Sequence, residues 1–218
     1  MSAGYEYIGN IPEYLVAKWG SLPDDSAIDK TVQSLKKNSI KAYIANDKEE
    51  AKNLVASFIP KGAKVWTSTS ITLRETGIMQ LLDESGEYIS IRKKVFAISD
   101  PVQRLNARRA TATTKYVVGS VHAVTQDGVV LIASMTGSQL PYYAYSSENV
   151  IWVVGAQKIV HSINDGFKRI EEYCAPLEDL RAKKESGTGT SINKILIIKK
   201  ENIADRLKMI IVKERLGF

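Results

Sequence analysis

Apolar positions recur along this chain in two alternating rhythms, and the alternation predicts a layered α/β fold. Ile28, Val32 and Leu35 stand at helical spacing across residues 24–38, behind Asp24 and Ser26 as candidate N-caps, and residues 40–45 then read as a short strand. Asn46 is placed to cap a helix over 47–59, which Pro60, Lys61 and Gly62 stop ahead of a strand at 63–67. Ile78, Leu81 and Leu82 mark a helix within 71–84, residues 88–91 resemble a strand, and Asp100 with Pro101 opens a helix to about residue 111. Residues 116–124 and 129–134 are rich in Val, Ile and Ala, with Thr125, Gln126, Asp127 and Gly128 between them, the chemistry of a tight β-hairpin. A glycine-centred loop at 135–141 precedes a strand at 151–154. Ser162 and Asp165 form a capping pair for a helix that is expected to end at Cys174, with Pro176 as its stop. A charged helix at 177–184, a Ser/Gly/Thr loop at 186–191 and strands at 192–198 and 209–212 complete the chain. Strands of about five residues between helices predict a three-layer, Rossmann-like, mostly parallel sheet extended by a β-hairpin.

Composition narrows the setting. The chain has 218 residues, 44% of them hydrophobic, which suits one sizeable domain over 24–218. Tyr5, Tyr7, Tyr14 and Trp19 make residues 1–23 too aromatic for a solvated tail, so this segment is expected to pack on the domain or on a partner, including a second copy. No apolar run approaches membrane-spanning length and no signal-peptide order is seen at the start, so a cytoplasmic protein without membrane association is expected. Cys174 is the single cysteine, which excludes an internal disulfide and a cysteine-based metal cluster built from this chain alone. The formal net charge of +6 admits nucleic acid, a membrane surface or an anionic metabolite. Arg104, Arg108 and Arg109, Arg181, Lys183 and Lys184, and Lys199 and Lys200 are clustered but not interleaved with aromatics, so they read as solvated helix faces, with nucleic acid disfavoured.

Candidate chemistry concentrates where strands release the chain. Thr67, Ser68, Thr69, Ser70 and Thr72 bring hydroxyls and backbone N–H groups to a strand-to-helix transition, an arrangement suited to phosphate or carboxylate. The same residues are equally good caps, and Thr72 with Glu75 would form an ordinary capping box. Arg74 would reach the same anion or sit on a solvated face. Thr136, Gly137, Ser138 and Gln139 form a second loop able to offer N–H groups to an oxyanion. Lys158 follows a buried strand, where a lysine can pair with an anion or polarise a carbonyl, with a surface lysine as the plain alternative. His122 reads as a hydrogen-bonded structural histidine or as an acid/base group. His161 is the only other histidine, so neither a histidine metal site nor a Ser-His-Asp triad is supported.

In order and spacing, GAKVWTSTSITLRETGI, VHAVTQDG, TGSQLP, VVGAQKIVHSINDGFKRIEEYCAP and the closing KERLGF make the chain resemble the lactate-utilization (LUD) domain family from about residue 27 onward. The resemblance implies the NagB/RpiA/CoA-transferase-like fold, shared with sugar-phosphate isomerases, CoA transferases and formyltetrahydrofolate cyclo-ligase, whose ligand crevice is formed by loops at strand ends. It also implies a part in lactate or related organic-acid metabolism. Relatives often carry Gly-Gly-Ser where this chain has Ser68, Thr69 and Ser70, Asn-Arg where it has Ser138 and Gln139, and Asn where it has Gln157. Many also carry a cysteine-rich segment where this chain has only Ser, Gly and Thr at 186–190, so a cluster-binding role is not carried over. The combined expectation is a small anionic metabolite held between the 68–72 turn, the 136–139 loop and Lys158, with Glu75 or His122 as proton carriers and no cofactor specified. The rivals are a non-catalytic accessory subunit of a redox or metabolic complex and a basic nucleic-acid-binding module.

Overall fold

The computed structural model describes residues 5–218, with side chains from residue 7 onward. Six parallel strands form the central sheet: β1 (Lys41–Ala45), β2 (Lys64–Thr67), β3 (Ile89–Ser90), β4 (Tyr116–Gly119), β7 (Asn149–Gly155) and β10 (Leu207–Val212), in the order β1-β10-β7-β4-β2-β3. Four shorter strands, β5 (Ala123–Thr125), β6 (Val130–Ser134), β8 (Ile159–Val160) and β9 (Lys194–Ile198), form a second sheet in the order β8-β5-β6-β9. The helices are α1 (Tyr5–Ile8), α2 (Glu13–Gly20), α3 (Asp25–Lys37), α4 (Lys48–Phe58), α5 (Ile71–Glu75), α6 (Ile78–Glu84), α7 (Ile91–Phe96), α8 (Pro101–Ala110), α9 (Ile163–Arg169) and α10 (Ala175–Ser186). This is the three-layer, Rossmann-like fold with a hairpin that the sequence predicts.

Burial explains the apolar strands. In β7, Val150, Trp152 and Val154 enter one core with Ile28, Val32 and Leu35 of α3, while Ile151 and Val153 enter another with Val55 of α4 and Leu73 of α5. Both faces are covered, so the strand reads as a continuous apolar run rather than an alternating one. The second sheet divides in the same way. Val124, Val130 and Ile132 face the α3 side, and Ala123, Leu131 and Ala133 face the helix that carries Ile170, Tyr173 and Leu177. Tyr7 and Trp19 bury themselves in this last cluster, and the Trp19 indole donates to Glu172 at 2.9 Å. The N-terminal aromatics thus cover the chain's own helix. Residues 1–4 and the Tyr5 side chain lie outside the described residues, and Tyr14 is exposed.

Four local expectations are corrected. The apolar stretch 116–124 is two strands: β4 belongs to the central sheet and β5 to the second, with residues 120–122 crossing between them. The hairpin is β5–β6, antiparallel through Ala123–Leu131 and Val124–Val130. The stretch 71–84 is two helices, parted at Gly77, whose φ of +69° takes it out of the helical region. Asp47, rather than Asn46, caps α4, accepting from the Glu50 N–H. Pro176 does not end the helix that starts at Ile163. A π-helical turn at Ile170–Cys174 joins α9 to α10, with the Ala175 N–H reaching the Ile170 carbonyl. In a regular helix the proline ring would strike the carbonyl four residues back, and the wide turn moves that carbonyl aside.

Candidate active site

The chain leaves β2 toward β3 on one side of the central sheet and leaves β4 toward β7 on the other, so the winding reverses between β2 and β4. In open α/β sheets the crevice beyond the strand ends at such a reversal is where ligands bind. Here it is a cavity of about 360 Å³ between the two sheets. Ser68, Thr69 and Ser70 enter it after β2, Ser120 and His122 after β4, Lys158 after β7, and Gly217 and Phe218 after β10. From the second sheet come Ser134, Thr136, Ser138 and Gln139, and from the helices Arg108, Cys174, Glu178 and Arg181. Trp66, Tyr142 and Tyr143 supply aromatic wall.

Close backbone approach makes this possible. A Cβ on Gly119 would collide with the Tyr143 hydroxyl, so glycine allows β4 to end against that ring. Tyr143 in turn shares a 3.1 Å hydrogen bond with the Ser68 hydroxyl, and burial pushes its phenol up to about 12, keeping it a neutral donor.

Lys158 occupies the floor, 2% exposed. Its ammonium donates to Thr72 Oγ1 at 3.0 Å and Ser120 Oγ at 3.2 Å, and among the described residues both of its partners are neutral hydroxyls. Burial, with the nearby Arg169 guanidinium, brings its pKa down to about 7, against the pull of the Cys174 thiol and Glu75. It therefore exchanges a proton near neutrality, and a bound anion would favour its charged form.

His122 also lines the cavity, but as a fixed group. Its Nδ1 accepts from the Ala133 N–H at 3.1 Å, which leaves the ring proton on Nε2. Burial, then the charges of Lys158 and Arg169, bring its pKa down to about 3. The ring stays neutral with its basic nitrogen engaged, which makes it a hydrogen-bond donor and removes it as a general base. Behind it Arg169, fully buried, donates through Nη1 to the His122 carbonyl and lies 2.9 Å from Cys174 Sγ.

The predicted residues sort cleanly. Ser68, Thr69, Ser70, Thr72, His122, Thr136, Ser138, Gln139 and Lys158 surround one cavity. Gly137 lies behind it, at φ +80°, with its N–H on the Ser134 hydroxyl. Arg74 and Glu75 are not among the lining residues. Arg74 pairs with Glu185 at 2.5 Å and 3.2 Å. Glu75 accepts from the Gly217 N–H at 2.7 Å, so its carboxylate secures the chain after β10 from outside the cavity lining. The Thr72–Glu75 capping box is absent as well: Ser70 caps α5, and Thr72 donates to the Leu216 carbonyl at 3.2 Å. Among the polar wall residues the sequence reading missed are Ser120, Ser134, Arg108, Cys174 and Glu178. Ser120 hides inside an apolar run, and Arg108 inside a helix with no buried residue. Among the described residues no group of His, Cys, Asp and Glu is arranged to hold a metal, and no helix is long and apolar enough to cross a membrane.

Comparison with known proteins gives one family and a fold. A family model described as LUD domain matches residues 28–215. The crystal structure of a DUF162 family protein from Deinococcus radiodurans superposes with a TM-score of 0.54 at 11% identity, covering 88% of this chain and 99% of that one. Chaetomium thermophilum eIF2B delta aligns at a TM-score of 0.34 and 11% identity over 66% of this chain and 54% of its own. No curated protein matches the chain.

Proposed function

Because this chain belongs to the LUD domain family, we propose that its cavity binds a small anionic organic acid and that the protein serves lactate or related organic-acid metabolism. The observation that carries this reading is Lys158: a buried ammonium at the floor of the cavity, held by two hydroxyls and no carboxylate. A buried charge that touches only neutral hydroxyls, with Glu75 acting on it from beyond hydrogen-bond contact, is incompletely compensated, and an anionic ligand supplies the missing contact. The hydroxyls of Ser68, Thr69 and Ser120 and the Nε2–H of His122 are the neutral donors available to orient the ligand's oxygens. Lys158 then neutralises the acid or, in its neutral form, takes a proton from a reacting group. At about 360 Å³ the space is at the lower end of the ~300–1,000 Å³ typical of ligand pockets, which fits a metabolite and not a macromolecule.

Calorimetry with lactate and other small hydroxy acids at pH 8, in two buffers of different ionisation enthalpy, tests the reading. Binding is expected with uptake of up to one proton, because the anion restores the Lys158 charge, and Lys158→Met should lose both the proton uptake and at least tenfold in affinity. Equal affinities for the two proteins, or no binding by any acid at millimolar concentration, would overturn it.

A further inference from the structure

The charged side chains that line the cavity, among the described residues, are Arg108, Lys158, Glu178 and Arg181. Arg181 is already neutralised: it pairs with Glu178 through two contacts of 2.5 Å and 2.7 Å, and with Glu185 at 2.5 Å. Two cations are left, and they sit on different elements. Lys158 stands at the ends of the central strands. Arg108 projects from α8 and donates through Nη2 to Ser138 Oγ at 2.9 Å, on the loop that follows β6. Arg108 makes no ion pair among the described residues, and its Nε is buried without a hydrogen-bond partner. A guanidinium that lines a cavity with no carboxylate paired to it is incomplete in the way an empty anion subsite is.

The neighbouring hydroxyls are oriented to the same end. Ser138 Oγ accepts from Arg108 and also from Thr136 Oγ1 at 3.1 Å, so its own proton is left to donate. Thr69 Oγ1 accepts from Arg92 at 2.8 Å, which leaves its proton free for the cavity in the same way. Arg92 itself is compensated by Asp83 at 3.7 Å. The wall therefore presents donors at two places and an uncompensated carboxylate at neither.

We propose that Arg108 with Ser138 forms a second anion subsite, and that the ligand is a doubly anionic small metabolite, a dicarboxylate or a phosphorylated acid, spanning Lys158 and Arg108. This rests on the anion-binding reading above and specifies its substrate class. One negative charge is met by the point charge of Lys158 and the other by the planar fork of Arg108, which suits a terminal carboxylate or phosphate. A three-carbon monoacid would satisfy only the first.

The test compares lactate, malate and phosphoglycolate by calorimetry on the full chain, in the wild type, Arg108→Gln, Arg108→Lys and Lys158→Met. The wild type is expected to bind malate or phosphoglycolate at least tenfold more tightly than lactate. Arg108→Gln should erase that preference through the loss of malate and phosphoglycolate affinity, Arg108→Lys should retain part of it, and Lys158→Met should weaken all three. Circular dichroism confirms that each variant is folded, which is expected at position 108 because α8 buries no residue. A preference below about twofold in the wild type, or one that survives in Arg108→Gln, overturns the second subsite while leaving the anion-binding reading intact. Failure of all three ligands to bind the wild type overturns both.

Discussion

Lys158 gives up its proton in the folded chain near pH 7, whereas an unfolded lysine holds it to about 10.4. Between those values the unfolded chain binds a proton the folded one lacks, so stability rises with pH across this window, and the burden of the buried charge is fully present below it. His122 acts with the same sign at lower pH: its folded value of about 3 lies beneath the ordinary 6.5, so folding loses stability as pH falls from 6.5 toward 3. The two windows do not overlap, which makes the lysine separable. Urea unfolding of wild type and Lys158→Met at pH 7 and pH 9.5 should show the wild type gaining on the variant by about 3 kcal/mol as pH rises, on the scale of 1.36 kcal/mol per tenfold. Parallel stabilities at the two pH values would mean that Lys158 is not desolvated as the structure has it. The cysteine at position 174 illustrates what a sequence hides at this scale. Its burial beside Arg169 depends on a helix running past a proline.

Elements were legible where their signals are local. Asp24, Asp100, Ser162 and the alternation of helix and strand act within one turn of chain, and the caps stand where the pattern puts them. Residues 116–124 defeat the same reasoning, because Val and Ala suit either sheet and only packing decides that the chain changes sheets at 120–122. Pro176 misleads for a related reason, since a π-helical turn absorbs it and no short-range rule anticipates one. The β5–β6 turn was predicted from Gly128, yet its tertiary constraint was not. Gly128 has φ +82°, and a Cβ there would lie 2.8 Å from the Leu35 nitrogen and the Ser34 carbonyl carbon, backbone atoms of α3. Gly86 has φ +80° with nothing within 4 Å. Gly86→Ala should thus cost only the backbone strain, about 1 kcal/mol, whereas Gly128→Ala adds overpacking of about 1–3 kcal/mol and pries the hairpin from the helix. Denaturant midpoints measure both. Equal losses would show that the hairpin does not rest on α3.

The whole molecule assembles its cavity from four central strand ends, the second sheet and the helices α8 and α10, which are far apart in sequence, and this is why the hydroxyl-rich loops could be guessed and Arg108 could not. A Ser/Thr run after a strand is visible one residue at a time. A cation that crosses from α8 to the 136–139 loop is visible only when both are folded. The segment after β10 ties the strand ends to the cavity floor. Gln157, buried, holds it from both sides: its Nε2 donates to the Leu216 carbonyl at 2.8 Å and its Oε1 accepts the Leu216 N–H at 3.3 Å. The same Leu216 carbonyl accepts from Thr72, which accepts from Lys158, so one amide side chain links the end of β7, the start of α5 and the cavity floor. Gln157→Ala would leave the Leu216 N–H without its partner, at a cost of about 1–3 kcal/mol. Hydrogen exchange should show the Leu216 and Gly217 amides losing protection by tenfold or more, while amides of β7 itself change little. Anion affinity should fall severalfold in parallel, although Gln157 is not among the lining residues, because Thr72 no longer fixes Lys158. Protection and affinity both left at wild-type values would show that the segment is held by its apolar contacts alone, and that the cavity floor does not depend on it.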